Sequence, residues 1–479
     1  MSAKEVALSC IDEIALNFRG KKCCVLGFAR SNRPLVDMLL SAGAIVSVHD
    51  KNTESGDERL ESLGVKFCVG DGYLDGLRAD YIFRSPGIRY YLPEIENAVK
   101  NGAVLTSEME LFFSLCRATV IGVTGSDGKT TSTTLTHLFL QRELEKTGAG
   151  RVYVGGNIGA PLLPQVDNMT GDDFAVVELS SFQLQTMKQS PARALITNIS
   201  PNHLDWHKDY EEYISAKCNI CRHKGAQMLV TNADNEVTRE IARKTDLPIT
   251  FFSSQKHSYA EMIPSFSENC KAIYEDGGDI YLDDGKERVS VLKMADILLP
   301  GRHNVENYMA AIGLTQGLVS HETIREIATT FPGVEHRLEY VRTFDGVKYY
   351  NSSIDSSPSR TQAALGALDK KPIIICGGAE KGIGFESLGP VLCQKAKAVI
   401  LTGATAQKIY NAIVSCPEYG EKKLPVTVVS DFRDAVLAAK GEAEDGDIVL
   451  LSPACTSFDR FRDFEERGNY FKQIVREFK

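Results

Sequence analysis

The residues best equipped for chemistry lie in one run, Gly122-Val123-Thr124-Gly125-Ser126-Asp127-Gly128-Lys129-Thr130-Thr131. Its glycines let backbone N–H groups converge on phosphate oxygens, and a helix starting behind them adds partial positive charge. Lys129 offers a full charge to the β- and γ-phosphates of ATP, and the Thr130 hydroxyl is a ligand for Mg²⁺. The spacing departs from G-x-x-x-x-G-K-[ST], because Val123 stands where the first glycine belongs. A glycine-rich turn with an incidental lysine is the plainer alternative.

Other candidates follow in chain order. Asp50 ends an apolar run and either holds a ribose or simply closes a strand. Glu178 lies near the end of the run 176–179, ahead of Ser180, Ser181 and Gln183. Alone it is a solvated strand end; beside a phosphate loop it is a natural Mg²⁺ ligand. His203 sits in a loop after a strand, where a lone histidine is more often structural. Lys217, on a helical pattern, reads by itself as a surface lysine. Asn304 suits both an adenine edge and a helix cap. Lys381 follows a strand into a glycine-containing loop and is a candidate carboxylate clamp. Cys218 and Cys221 form one C-x-x-C with His203, His207 and His223 nearby, but no second C-x-x-C completes a zinc set.

The elements needed to position these groups read as parallel α/β layers. Strands are expected at 23–27 and 44–48 around a helix reaching residue 40. The loop between them lacks G-x-G-x-x-G, so the unit is Rossmann-like while NAD is disfavoured. A second segment has a strand at 118–123, a helix over 130–144, strands at 152–154, 174–179 and 194–198, and hairpins within 272–291. An apolar helix is expected over 308–318. After a linker at 331–333 come strands at 372–376, 398–402, 426–429 and 448–452. The expected fold is therefore α/β in three domains. Residues 1–107 form a Rossmann-like domain and 108–333 a P-loop ATPase-like parallel sheet with a small antiparallel part. Residues 334–479 form a second Rossmann-like domain.

Composition agrees. At roughly 150 residues per domain, 479 residues suit three domains. Apolar residues at 43% and charged residues at 24% are globular values, which excludes wholesale disorder. The net charge of −9 argues against a general binder of nucleic acid or anionic membrane. No apolar stretch is long enough to span a bilayer, and no leader is evident, so a soluble cytoplasmic protein is expected. The 12 cysteines are scattered, as buried thiols of the cytosol would be.

The form G-x-T-G-x-x-G-K-T-T resembles the ATP loop of the Mur ligase family, and the resemblance extends in order over nearly the whole chain. It implies an ATP-dependent amide ligase of peptidoglycan precursor synthesis. Thr124, Gly125, Ser126, Asp127, Gly128, Lys129, Thr130 and Thr131 would then hold ATP, with Asn304 and Asn307 near adenine and Arg337, from His336-Arg337-Leu338-Glu339, on phosphate. Two Mg²⁺ ions, with Mn²⁺ as an alternative, would use Thr130, Glu178 and His203, together with Lys217 carbamylated by CO₂. The later motifs imply UDP-N-acetylmuramoyl-L-alanine and D-glutamate as substrates. Ser31, Asp50, Gly87, Asn157, Ser180, Ser181 and Gln183 would hold the UDP-sugar. Ser356, Lys381, Ser457 and the backbone of Phe464 would hold D-glutamate. A monomer is expected. Two residues depart from the family pattern: Ser352 replaces an acid in Asn-Asp-Ser, and Asp127 places an anion beside phosphates.

Overall fold

The computed structural model describes residues 9–263, 269–380, 382, 384–422 and 424–479. Among them, twenty strands form three sheets, and the chain divides into two compact units. One unit comprises residues 1–292 and 306–324; the other comprises residues 293–305 and 325–479. Lys381 lies outside the described residues.

The first sheet contains β1 (Lys22–Leu26), β2 (Ile45–Asp50), β3 (Lys66–Val69), β4 (Tyr81–Arg84) and β5 (Val104–Thr106), in the order β3-β2-β1-β4-β5. Every pairing is parallel. Side chains alternate along β1: Cys23 and Val25 pack on one face, Cys24 and Leu26 on the other. The strand order reverses between β1 and β4. That opens a crevice at their carboxyl ends, where open α/β sheets bind ligands.

The second sheet, in the same unit, contains β6 (Thr119–Thr124), β7 (Val152–Gly156), β8 (Phe174–Glu178), β9 (Arg193–Ile196), β10 (Met228–Asn232), β11 (Ile249–Ser253), β12 (Cys270–Asp276), β13 (Asp279–Asp283) and β14 (Arg288–Lys293). Its order is β14-β13-β12-β11-β10-β9-β6-β8-β7. β6 is an interior strand with parallel neighbours β8 and β9, and β13 returns antiparallel to β12, where a hairpin is expected. The phosphate helix runs from Lys129 to Thr147, longer at both ends than the sequence pattern suggests. The helix Arg302–Thr315 starts a turn and a half before the expected apolar stretch. Its opening residues include Arg302, His303 and Asn304, so hydrophobic periodicity does not reveal them.

The third sheet belongs to the other unit. It contains β15 (Glu339–Phe344), β16 (Val347–Asn351), β17 (Ile373–Cys376), β18 (Ala398–Leu401), β19 (Val426–Val428) and β20 (Ile448–Leu451), ordered β15-β16-β20-β17-β18-β19. Only β15 pairs antiparallel. Apolar clusters cover both faces, so its strands are continuous apolar runs such as Ile373-Ile374-Ile375. No helix among the described residues is long and apolar enough to cross a membrane.

Burial also sets a pH response. Glu108 opens the helix Glu108–Leu115 at 6% exposure, and burial pushes its carboxyl up from 4.5 to about 7. Between those two pH values the folded chain keeps a proton that the unfolded chain has lost. The stability this group contributes is therefore present in full below 4.5 and is lost as pH rises through 7. At pH 8 its charge costs about 3 kcal/mol. Glu108→Gln is expected to raise the thermal midpoint at pH 8 and to leave it unchanged at pH 5, as read by calorimetry. Equal shifts at both pH values would show that the charge is not responsible.

Candidate active site

β6 delivers the phosphate loop, residues 125–128, onto the helix Lys129–Thr147. Gly125 has φ 150° and Gly128 φ 78°, and a Cβ would strike Thr197 Oγ1 at the first and Asn307 Oδ1 at the second. Only glycine fits either place. The segment after β9 pins the loop. Ser126 N donates to Asn198 O at 2.9 Å, and Asp127 N to Asn198 Oδ1 at 3.0 Å. Ser126 Oγ meets Tyr213 OH at 2.8 Å. Lys129 Nζ curls back to donate to Gly125 O at 3.0 Å and Ser126 O at 2.9 Å, which places its charge over the loop. Thr130 is half-buried and Thr131 buried on the first turn, while Asp127 is exposed.

Glu178 ends β8, opposite Val123 of β6. It is 1% exposed; Oε1 accepts from Asn157 Nδ2 at 2.9 Å, and Oε2 has no protein partner. A buried carboxylate oxygen left without a donor fits a cation. Asn157 is thereby a neighbour of the carboxylate as well as a candidate sugar contact. Ser180 and Gln183 close a capping box on the short helix Ser181–Leu184, with Ser180 N and Oγ both donating to Gln183 Oε1 at 3.0 Å. Sequence reading treats them as ligand contacts and does not anticipate this cap.

Lys217 projects from the helix Tyr210–Arg222 into the interior at 2% exposure. Its Nζ donates to Gly125 O at 2.7 Å and lies 4.7 Å from the centre of the Tyr213 ring. Burial, and then the charge of Lys129, hold its pKa well below the ordinary lysine value. It is no surface lysine, and a neutral amine is the form that reacts with CO₂. His203 has φ 55° and its ring lies 4.9 Å from Phe182; burial and Lys129 lower its pKa. The two other groups here are not evident in the sequence. His207, 3% exposed, meets Ser181 Oγ at 3.0 Å. Arg84, 1% exposed, donates to Ile88 O at 2.6 Å and to Phe182 O at 2.9 Å, which ties the loop after β4 to the corner after β8. Cys218 and Cys221 are buried. Among the described residues no three His, Cys, Asp or Glu groups are placed to hold a metal.

At the crevice of the first sheet, Ser31 precedes the helix Asn32–Ser41 without capping it. Asp50 Oδ2 accepts from Phe28 N at 2.7 Å and Oδ1 from Asn52 N at 2.9 Å. Gly87 is exposed with open space around it. Asn307 Oδ1 accepts from Ser132 Oγ at 3.1 Å; Asn304 Nδ2 donates to Pro300 O at 2.7 Å.

In the other unit, Arg337 is exposed between His336 (φ 63°) and Leu338 (φ 43°), both in the left-handed region. Ser352 Oγ accepts from Leu338 N at 3.2 Å, and the buried Asp355 accepts from Ser452 Oγ at 2.7 Å. Ser356 is half-buried and Ser457 is 2% exposed. Phe464 O accepts from Ser353 Oγ at 2.8 Å. Buried Arg467 holds these loops together, donating to Ser353 O at 2.8 Å, Thr456 O at 3.0 Å and Cys455 O at 3.2 Å.

Residues 123–315 match the Mur ligase middle domain and residues 336–455 the Mur ligase glutamate ligase domain. The chain is 43% identical over 478 residues to UDP-N-acetylmuramoylalanine–D-glutamate ligase of Acetivibrio thermocellus, across 97% of this chain and 98% of that one. The chain belongs to the Mur ligase family. A second relative of the same name, from Ruminiclostridium cellulolyticum, is 43% identical over 477 residues, covering 98% of this Mur ligase and 99% of the relative. The fold is shared with the crystal structure of MurF from Acinetobacter baumannii, at TM-score 0.56 and 15% identity over 97% of this chain and 92% of that one. The α/β architecture expected from the sequence is thus the architecture of the Mur ligases.

Proposed function

We propose that this Mur ligase joins D-glutamate to UDP-N-acetylmuramoyl-L-alanine at the expense of ATP. The observation that carries the reading is Glu178: a buried carboxylate with one oxygen left unpartnered, ending the strand paired with the one that delivers the glycine loop onto the helix Lys129–Thr147. The names of the relatives from Acetivibrio thermocellus and Ruminiclostridium cellulolyticum support the choice of substrates.

In this reading the loop from Thr124 to Thr131 cradles the phosphates, and Lys129 swings from its carbonyl partners onto them. Asn304 and Asn307 face adenine. Mg²⁺ would be held by Thr130, Glu178, His203 and the carbamate of Lys217, with phosphate oxygens completing each shell, and it would neutralise charge on the transferred group. Ser31, Asp50, Gly87, Asn157, Ser180, Ser181 and Gln183 bind the UDP-sugar. Its L-alanyl carboxylate oxygen attacks the γ-phosphorus, ADP leaves, and an acyl phosphate forms. The neutral amine of D-glutamate, held through Ser356, Lys381, Ser457 and the Phe464 backbone, attacks the acyl carbon. Phosphate departs and the amine proton is released. Arg337 spreads charge over the phosphoryl group. The chain would act as a cytoplasmic monomer.

Phosphate release tests the reading. Release is expected to require ATP, Mg²⁺, UDP-N-acetylmuramoyl-L-alanine and D-glutamate together. L-glutamate should support less than about one-hundredth of the rate, since a mis-set carboxylate leaves buried donors unpaired. Equal rates with both enantiomers would overturn the assignment of the amine.

A further inference from the structure

We infer that His207 is a positioning residue for the acceptor side of this reaction, acting through Ser181; the inference rests on the reading above. His207 is buried; its imidazole meets the corner after Glu178 and the helix Tyr210–Arg222, and its backbone meets the His203 loop. Its Nε2 lies 3.0 Å from Ser181 Oγ, at the corner that follows Glu178. Its Nδ1 makes no hydrogen bond but faces the Glu212 carboxylate, Oε2 at 3.5 Å, on the helix that carries Lys217. Its backbone N donates to His203 O at 3.0 Å, closing the loop that presents His203. One face stacks on Phe182, with ring centres 5.5 Å apart and planes at 19°.

A packing role alone does not call for this side chain. Burying a polar ring is costly unless its nitrogens find partners, and a phenylalanine would fill the same space. What the imidazole adds is direction. The Glu212 carboxylate draws a proton to Nδ1, which leaves Nε2 to accept the Ser181 hydroxyl hydrogen. Ser181 then turns its lone pairs outward, toward donors on the acceptor substrate. Glu212 is itself fixed, accepting from Tyr90 OH at 3.3 Å and from Lys208 N at 2.8 Å. The loop after β4 enters the same arrangement, because Trp206 Nε1 donates to Gly87 O at 3.4 Å. The loop after β4 and the corner after Glu178 are thus both tied to the segment His203–His207, the first through Trp206 and the second through the His207 ring.

The test uses the full chain. His207→Phe keeps the flat ring against Phe182 and deletes both polar contacts; His207→Gln restores a polar group within reach of Ser181. His207→Phe is expected to raise KM for UDP-N-acetylmuramoyl-L-alanine about tenfold and lower kcat about thirtyfold, with KM for ATP within about threefold. His207→Gln should recover most of both losses. Ser181→Ala should reproduce the acceptor KM change, and adding it to His207→Phe should cost little more. Retention of wild-type kcat and acceptor KM by His207→Phe overturns the inference, as does full multiplication of the two effects. If His207→Phe does not fold, Ser181→Ala decides alone, and an unchanged acceptor KM refutes it. Failure of the wild-type chain to release phosphate would instead count against the proposed reaction itself.

Discussion

Lys129→Ala is expected to lower phosphate release about a thousandfold while the chain stays folded. The lysine is half-exposed at the first residue of its helix, and its bonds to the carbonyls of Gly125 and Ser126 are made in the absence of phosphate. A carbonyl gains little from a cation that water would otherwise solvate, so the thermal midpoint should move by only a few degrees. A transferring phosphoryl group gains far more, because its charge peaks in the transition state inside a dry site. Removal of one such donor typically costs about 3–4 kcal/mol, a factor of 10²–10³. Lys129→Arg is expected to recover only part of the loss, since the planar guanidinium does not retrace the path of a point charge on a flexible stem. Stopped-time phosphate assays with ATP titration calorimetry separate binding from turnover. Activity of Lys129→Ala within tenfold of wild type would remove the phosphate loop from the mechanism.

Lys217→Met is expected to be equally damaging, for a different reason. The amine is buried against Gly125 O and Tyr213, where its protonated form is penalised by desolvation and by Lys129. A lowered pKa keeps the amine neutral at pH values where an exposed lysine is charged, and a neutral amine is the form able to react with CO₂. The carbamate is an anionic oxygen ligand, whereas an ammonium there would repel Mg²⁺. Lys217→Met should lose about three orders of magnitude in turnover. Lys217→Arg, which stays cationic and cannot be carbamylated, should be no better. Native mass spectrometry of wild type should show the increment of one CO₂, lost on acidification and absent from both variants. CO₂-depleted wild-type enzyme should regain activity when bicarbonate is returned. Either variant with more than a tenth of wild-type turnover would sink the carbamate, and so would unmodified wild type at full activity.

Glycine spacing marks the phosphate loop and a strand-end acid marks Glu178, whereas Lys217 is singled out only by the family resemblance and reads alone as a surface lysine. The reason is geometric. Tyr213, Ala216, Lys217 and Ile220 share a buried face, and a charged residue on such a face breaks the hydrophobic pattern that would announce burial. Arg84 and Arg467 escape notice in the same way. Each is a single buried cation whose partners are mostly backbone carbonyls, and carbonyls leave no signature in residue types. Ser180 and Gln183 illustrate the converse. Their spacing is that of a capping box, legible in the sequence, but proximity to catalytic motifs draws attention to ligands first.

By itself the sequence determined the α/β class, the strand, glycine loop and helix around Gly125–Gly128, and most strands of the second and third sheets. Those are local properties: alternation, glycine spacing, and apolar runs that end in an acid. Only the tertiary structure decided that Glu178 keeps an oxygen unpartnered, that Lys217 is buried beside Gly125, and that His207 spans Ser181, Glu212 and the His203 loop. Those depend on which distant segments meet and on how much water their meeting expels. Protonation and ligand readiness follow from that desolvation, which no stretch of residues carries on its own.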